Sequence, residues 1–328
     1  MNYLLRKLGF YAVACWAALT LNFVIPRLLP GDPVDILLAK LSQRGATVTA
    51  ETRAAYATLL GGDTDQPLLA QYWTYLTNIF RGDLGTSISY FPAPVTEVIG
   101  ASMPWTVVLI GIATVIAALL GVLLGAFVGW RPGTWLDSMV PATTLLAAVP
   151  YFWLSLVLVY VLSRVMGLFP AQGGYDVVLD PGWNTAFIGS ALYYGFLPAL
   201  TIVLASVGGW LLGMRNMMVS TLSEDYVLTA RAKGLPDRWV LRDYAARNAV
   251  LPSVAGFAIS LAFVVSGSVV TEQVFSYPGI GSRLLAAVTN NDYALMQGVF
   301  LFITLAVLGA NLVVDLLYTL IDPRTRAR

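Results

Sequence analysis

No histidine occurs in the chain, and Cys15 is its single cysteine. Zinc sites built on histidine, histidine general bases and Ser-His-Asp triads are therefore excluded. One cysteine also rules out an intrachain disulfide. Lysine is almost as scarce, occurring only as Lys7, Lys40 and Lys233. None follows a glycine, as the Gly-Lys-Ser or Gly-Lys-Thr of a P-loop requires, so the chain cannot hold such a nucleotide site itself. Charged residues make up 11% of the chain, against about 25% in soluble domains. No period of 20–50 residues repeats, which excludes a solenoid.

What is present is hydrophobic, at 58% of residues. It is gathered into six stretches: Leu8–Ile25, Trp105–Trp130, Ser138–Ser163, Phe196–Met214, Val254–Val270 and Gln297–Leu320. Crossing a bilayer as a helix takes roughly 20 apolar residues. Barrel strands would be alternating segments of about 10 residues, and these runs do not alternate. The expected fold class is an all-α integral membrane protein with six transmembrane helices, forming a single domain over residues 1–328.

Lys and Arg set the expected orientation. With the N-terminus inside, twelve of the nineteen lie in inner segments: Arg6, Lys7, Arg131, Arg215, Arg231, Lys233, Arg238, Arg242, Arg247, Arg324, Arg326 and Arg328. Five more lie in one long outer loop, residues 26–104, and long loops count little in this rule. Only Arg164 and Arg283 remain outside, so both termini are expected in the cytoplasm. The first stretch follows Arg6 and Lys7 as a signal peptide would. Its apolar run is longer than a usual signal core, and Pro26-Arg27 stands where a small-residue cleavage site belongs, so it reads as an uncleaved span.

The outer loop is too long to be structureless. Thr49-x-Glu51 opens an expected helix to Leu60, broken by Gly61-Gly62-Asp63. Gln66-Pro67 opens another to about Phe80, with Leu68, Leu69, Tyr72, Tyr75, Leu76 and Ile79 on one face. Such helices suit either a packing cap along the membrane surface or a docking surface. Pro141 and Pro150 predict bends in the third span. Gly121-x-x-x-Gly125 and Gly125-x-x-x-Gly129 predict close helix packing in the second, against a helix of this subunit or the next. Ser102, Thr106, Thr143, Thr144, Ser155, Thr201, Ser206, Ser260, Ser266, Ser268 and Asn311 are the polar candidates for a translocation path. Packing or back-bonding to their own helix is the stronger reading for each, so no substrate contact is assigned. Asp315 is the one ionisable residue expected at membrane depth, and a structural role there outweighs a proton relay.

One inner connection, residues 215–252, is basic and built differently. Thr221 or Ser223 is expected to cap a helix entered through Glu224-Asp225, which suits the helix dipole. The helix runs through Tyr226 and Leu228 to Lys233, where Gly234 ends it and Pro236 confirms the stop. A second helix, Arg238 to Val250, returns to the membrane. Ala230, Ala232 and Gly234 are small and would let another surface approach closely. A plain positive-inside loop explains the charge but not the glycine stop followed by a second helix.

Thr229-Ala230-Arg231-Ala232-Lys233-Gly234-Leu235, with Arg247-Asn248-Ala249-Val250-Leu251-Pro252, resembles the cytoplasmic coupling loop of ABC importer permeases. The likeness is to the branch serving peptides, nickel and some oligosaccharides. Further family-like segments run in order along nearly the whole chain. They are Leu29-Pro30-Gly31-Asp32-Pro33, Arg81-Gly82-Asp83-Leu84-Gly85-Thr86-Ser87, Val274-Phe275-Ser276-Tyr277-Pro278-Gly279, Asp292-Tyr293 with Gln297-Gly298, and Val314-Asp315-Leu316-Leu317-Tyr318 with Asp322-Pro323-Arg324. The broader family often has Glu-Ala-Ala where this chain has Leu228, Thr229 and Ala230. Tyr244 stands where the peptide branch commonly has histidine.

The resemblance implies the six-helix type I importer permease fold, with an extracytoplasmic loop over residues 26–104 and a coupling loop over 215–252. It implies four kinds of partner: a second permease subunit, two ABC ATPase subunits, an extracytoplasmic substrate-binding lipoprotein and membrane lipid, with no nucleic acid. ATP and Mg belong to the ATPases, and no cofactor is expected on this chain, which is not itself an enzyme. Glu224, Asp225, Tyr226, Thr229, Ala230, Arg231, Ala232, Lys233, Gly234 and Leu235 would contact an ATPase. Oligosaccharide is the alternative to peptide as substrate. Outer aromatics (Tyr72, Trp73, Tyr75, Tyr90, Phe91, Trp183, Tyr193, Tyr194) suit sugars, but an interfacial aromatic girdle explains them equally. An ion-coupled secondary transporter is the alternative from another class. The scarcity of intramembrane charge and the lack of internal symmetry weigh against it.

Overall fold

Residues 2–28, 33–43, 49–59, 67–131, 133–135, 137–264 and 269–321 are described in a computed structural model of the chain. Their regular elements are helices. In order these are α1 (Asn2–Arg27), α2 (Pro33–Gln43), α3 (Ala50–Leu59), α4 (Leu68–Phe80), α5 (Val95–Trp130), α6 (Val140–Ala148), α7 (Tyr151–Leu158), α8 (Thr185–Leu222), α9 (Asp225–Ala232), α10 (Asp237–Trp239), α11 (Arg247–Ala249), α12 (Leu251–Phe263), α13 (Val269–Val274), α14 (Ile280–Thr289) and α15 (Tyr293–Ile321). Wider π-type turns extend α7 over Val159–Val165 and join α10 to α11 over Val240–Ala246.

Among the described residues, α1, α5, α8 and α15 are long and apolar enough to cross a membrane. Of the other two expected spans, one is broken and one is described in two parts. Ser138–Ser163 becomes α6 and α7, parted at Pro150, whose backbone is extended (φ −57°, ψ 138°). Proline lacks an N–H and disfavours helical backbone in the residue before it, so Pro150 begins a new helix instead of bending one. Pro141 lies in the first turn of α6, where the missing donor costs nothing. The expected Val254–Val270 starts at Leu251 as α12, and Val269 and Val270 open α13; residues 265–268 lie outside the described set. The continuous helices overrun their apolar stretches. Asn184 starts α8 well before Phe196 by accepting from the Phe187 amide at 2.7 Å, as a preferred N-cap residue does.

The chain forms two compact units, Met1–Trp105 with Pro278–Arg328, and Thr106–Tyr277. In the first, α1 packs along α15. Val95, Val98 and Ile99 of α5 bury against Ile280, Ala287, Leu295, Met296 and Val299. In the second, α5 packs on α8 through its glycines. A Cβ on Gly121 would come within 2.8 Å of the Val207 carbonyl, on Gly125 within 2.9 Å of Met214 Cβ, and on Gly129 within 2.9 Å of the Arg215 carbonyl. The partner of the glycine stripe is thus α8 of this same chain, and no side chain larger than hydrogen fits there.

The long loop carries the two expected helices and one more, α2. Thr49 and Thr52 cap α3 reciprocally, the Thr52 amide donating to Thr49 Oγ1 at 3.2 Å and the Thr49 amide to Thr52 Oγ1 at 2.6 Å. That is the capping-box pattern with threonine in the place of glutamate. The expected break at Gly61-Gly62-Asp63 lies outside the described residues.

Candidate functional site

Residues 215–252 are helical over most of their length, and every part of them can be traced to local chemistry. α8 ends at Ser223, whose Oγ donates back to the Ser220 carbonyl at 2.7 Å, and Thr221 Oγ1 donates to the Met217 carbonyl at 2.7 Å. Neither caps α9, contrary to expectation. Both hydroxyls serve the helix they terminate, and Glu224, in extended conformation, stands at the N-cap of α9 without a side-chain capping bond. The other end matches its expectation closely. Gly234 has φ +73°, its amide donates to the Arg231 carbonyl at 2.9 Å, and the Leu235 amide donates to the Ala230 carbonyl at 3.4 Å. This pair of bonds is the Schellman arrangement, and a left-handed residue at its centre favours glycine.

Pro236 then opens the return helix, α10 to α11. It runs from Asp237 to Ala249, close to the expected Arg238–Val250, but its centre is π-wound. Both arms are fastened by apolar burial. Val227 and Ala230 of α9 close on Val240, flanked by Trp130, Leu222, Leu235 and Tyr244. Ala245 and Ala249 close on Met214 and Met218 of α8. Full burial of a valine side chain is worth about 2 kcal/mol, so Val227 and Val240 set the pose of α9.

That packing sorts the ten candidate residues. Glu224, Asp225, Tyr226, Thr229, Arg231, Ala232, Lys233 and Gly234 are exposed, and Leu235 is half-buried. Ala230 is buried at 2% exposure. Its small side chain admits Val240 beneath α9, so it does not serve approach from outside. Space for approach is left at Gly234, where an added Cβ would meet nothing within 4 Å. Acidic residues at the start of α9 and basic ones at its end both follow the helix dipole. The Arg231 guanidinium also lies 5.1 Å from the Trp130 ring centre. Leu228 (50% exposed) and Trp239 (52%) form apolar ground beside the charges. Trp239 was not among the sequence candidates, because it lies past the Gly234 stop, in the return helix. Tyr244, in the place where histidine is common, packs against the Val227 cluster.

Four of the polar path candidates serve their own helices. Thr143 bonds to the Val140 carbonyl, Ser155 to Tyr151, Thr201 to Leu197 and Ser260 to Gly256, at 2.8–3.0 Å. Ser206 meets the Tyr151 hydroxyl at 3.2 Å. Ser266, Ser268 and the side chains of Thr144 and Asp315 lie outside the described residues. The sequence reading missed a carboxyl group: Glu272 in α13 is fully buried and accepts from Thr106 Oγ1 at 2.8 Å. It falls just beyond the expected span Val254–Val270. Burial and the neighbouring Glu272 push the Tyr277 phenol well above its usual range.

Two family-like segments meet in the other unit. Asp292 is fully buried at the start of α15. It accepts from Ser87 Oγ at 2.6 Å, the Ser89 amide at 2.8 Å and the Leu295 amide at 3.0 Å. Arg283 donates to Ser102 Oγ at 3.1 Å and to the Tyr90 hydroxyl at 2.7 Å. The segment 29–32 and the segment 322–324 lie outside the described residues.

Residues 121–327 match the family described as binding-protein-dependent transport system inner membrane component. The chain is 33% identical over 307 residues to an oligopeptide transport system permease protein of Bacillus subtilis (strain 168), covering 93% of this chain and 92% of that one. It is 33% identical over 334 residues to a probable D,D-dipeptide transport system permease protein of Escherichia coli (strain K12), covering 94% and 95%. It is 32% identical over 343 residues to a di/tripeptide transport system permease protein of Pseudomonas aeruginosa (strain UCBPP-PA14), covering 99% of each.

Proposed function

The chain belongs to the binding-protein-dependent transport system inner membrane components, which are multi-pass permease subunits, and we propose that it imports peptides as one half of an ABC importer. A second permease subunit completes the path. An extracytoplasmic binding protein delivers substrate, and two ABC ATPases supply the energy, holding the ATP and Mg. Six membrane passages, with α6–α7 and α12–α13 supplying two of them, would put both termini and α9 in the cytoplasm.

The observation that carries this reading is the mounting of α9. Its underside is buried on Val240, while its charged and aromatic face is exposed beside a glycine stop. Such a helix transmits force as a rigid piece. When the ATPases close on ATP, a pull on α9 passes through Val227, Ala230 and Val240, and α8 carries it through Met214 and Met218. Two bistable equilibria are then coupled by one small contact.

Cysteine trapping tests the coupling. In a transport-active complex, a cysteine at exposed Thr229 should cross-link to the ATPase, and one at buried Val227 should not. Absence of cross-links from every exposed α9 position would overturn the assignment. For orientation, a cysteine at Ser223 should label only from the cytoplasm and one at Trp183, 100% exposed, only from outside. Ser87 would report poorly, being fully buried on Asp292. For substrate, the cognate binding protein should be assayed against peptide and oligosaccharide panels. Preference for sugars would move the chain to the alternative within the same machinery.

A further inference from the structure

Helix α4 has three sides, and they differ in kind. One faces α1. Tyr72 Oη meets Thr20 Oγ1 at 2.8 Å, Asn22 Nδ2 donates to Tyr75 Oη at 3.1 Å, and Arg27 Nε donates to Gln71 Oε1 at 3.3 Å. Phe23 packs edge-on to Tyr72 at 5.1 Å and tilted to Tyr75 at 5.5 Å. At about 100° per residue, Leu69, Trp73, Leu76 and Phe80 fall together within a sector of roughly 60° beside that face. Leu69 is 82% exposed, Trp73 68% and Phe80 84%. The third side carries Ala70, Thr74 and Thr77. Beyond its first residue, the exposed Leu68, the outer part of α4 is thus divided into an apolar stripe and a small-polar stripe.

The depth of α4 follows from its contacts. Every contact named above falls between Thr20 and Arg27, the last eight residues of a membrane-crossing helix. At about 1.5 Å per residue those eight span about 12 Å, of a hydrocarbon core about 30 Å thick. Helices that lie in the membrane surface sink about 5–10 Å into the headgroup–acyl boundary. At the same level Arg27 offers charge of the fitting sign. Its guanidinium lies 3.6 Å from the Phe23 ring centre and donates to the Phe23 carbonyl and Gln71, with no carboxylate partner among the described residues. A lipid phosphate would be an anion of the fitting charge for it.

We propose that α4 is a membrane-surface helix, with its Leu69–Trp73–Phe80 stripe in the phospholipid headgroup–acyl boundary and its Thr74–Thr77 stripe in water. The occupant of the stripe is lipid, not the binding protein or the second permease. The apolar face of the long loop then continues the lipid-facing surface of α1, where Phe10, Val13, Trp16 and Leu21 are exposed.

The test uses the assembled transporter in nanodiscs, with Cys15→Ser as background. Single cysteines at Leu69, Trp73 and Thr74 carry an environment-sensitive fluorophore. Phospholipid with a nitroxide near the headgroup should quench positions 69 and 73 several-fold more than 74. Aqueous iodide should give the reverse order. Iodide quenching of 69 and 73 without lipid quenching would overturn the proposal, leaving the stripe in water. Quenching by neither agent would also overturn it, showing a protein cover. If that shielding needed the binding protein, the stripe would be its docking site. Leu69→Cys and Trp73→Cys are independent reporters, so one poorly folding variant does not remove the test.

Discussion

The Asp292 corner and the α9 loop are both small, ordered pieces joining longer helices, yet they use charge in opposite ways. At the corner the carboxylate is fully buried and takes one hydroxyl and two amide donors. Its charge is consumed internally, holding the 81–95 segment to the start of α15. At the loop the acidic and basic side chains of α9 and its two ends are all exposed, and valine, alanine and methionine hold the structure. A region whose charges are satisfied inside the chain is architecture. A region fastened by apolar contacts, with its charges turned outward, leaves them free for another molecule, as the proposed ATPase contact requires.

The largest effect should come from breaking the corner. Asp292→Ala leaves the Ser87 hydroxyl and the Ser89 and Leu295 amides without their acceptor. Buried donors left unsatisfied cost about 1–3 kcal/mol each, so a loss of about 3 kcal/mol or more is expected. It should appear as low membrane abundance and a lowered melting temperature of the purified complex. Asp292→Asn keeps an acceptor and should fall between. A stable Asp292→Ala protein would dissolve the comparison, because the carboxylate would not be architectural.

Next in size is the mount of α9. Val227→Ala removes buried methyl groups against Val240 and should cost about 1–2 kcal/mol. The subunit should still insert, but the ATPases should co-purify in reduced yield, since α9 loses its pose. Thr229→Ala, on the exposed side, should leave stability unchanged. Equal behaviour of the two variants would mean that α9 is not held by its underside.

Gly234 sharpens the comparison further. A side chain at φ +73° costs about 1 kcal/mol or more, and least for asparagine, which visits this region readily. Gly234→Val should leave abundance near normal but weaken ATPase recovery or uncouple transport from hydrolysis. Gly234→Asn separates the two causes. If it restores coupling, backbone conformation is what matters; if it does not, the open space beyond Gly234 is needed for close approach. Full transport with Gly234→Val would make the loop an ordinary connection.

Much of this was legible in the chain before any coordinates. The apolar stretches mark every long helix, because bilayer thickness fixes their length. The stop at Gly234 and the helices from Thr49 and Pro67 are local signals, written in adjacent residues. What escaped is nonlocal. Ser87 and Asp292 are 205 residues apart, and nothing in either segment names the other. Ala230 looks like a surface residue until Val240 is seen beneath it. Glu272 lies just past the expected span Val254–Val270, and only Thr106 packed against it shows its burial. Pro150 was seen but its force was underrated. α2 has Pro33 at its first position, a helix-start signal that the sequence reading passed over.

The smallest effect separates two ion pairs. Arg215 Nε lies 2.7 Å from Asp137 Oδ1, and the Gly133 amide donates to the same carboxylate at 3.0 Å. These bonds fasten the turn after α5 to the C-terminal part of α8. Arg242 and Asp243 are sequence neighbours with the arginine 82% exposed, a geometry in which ion pairs contribute little. The Arg215 guanidinium, then the Gly133 amide, hold the Asp137 carboxyl below the usual range. A carboxyl whose pKa is depressed on folding adds stability above its unfolded value of about 3.9 and loses it as pH falls through the folded value. Asp137→Asn should therefore melt slightly below the parent protein from pH 8 to pH 5, with the gap closing only below about pH 4. Arg242→Gln should melt with the parent throughout. A gap for Asp137→Asn that closed already near pH 6 would trace it to another group. An effect of Arg242→Gln as large as that of Asp137→Asn would show the loop holding itself by surface charge, against the division drawn between it and the Asp292 corner.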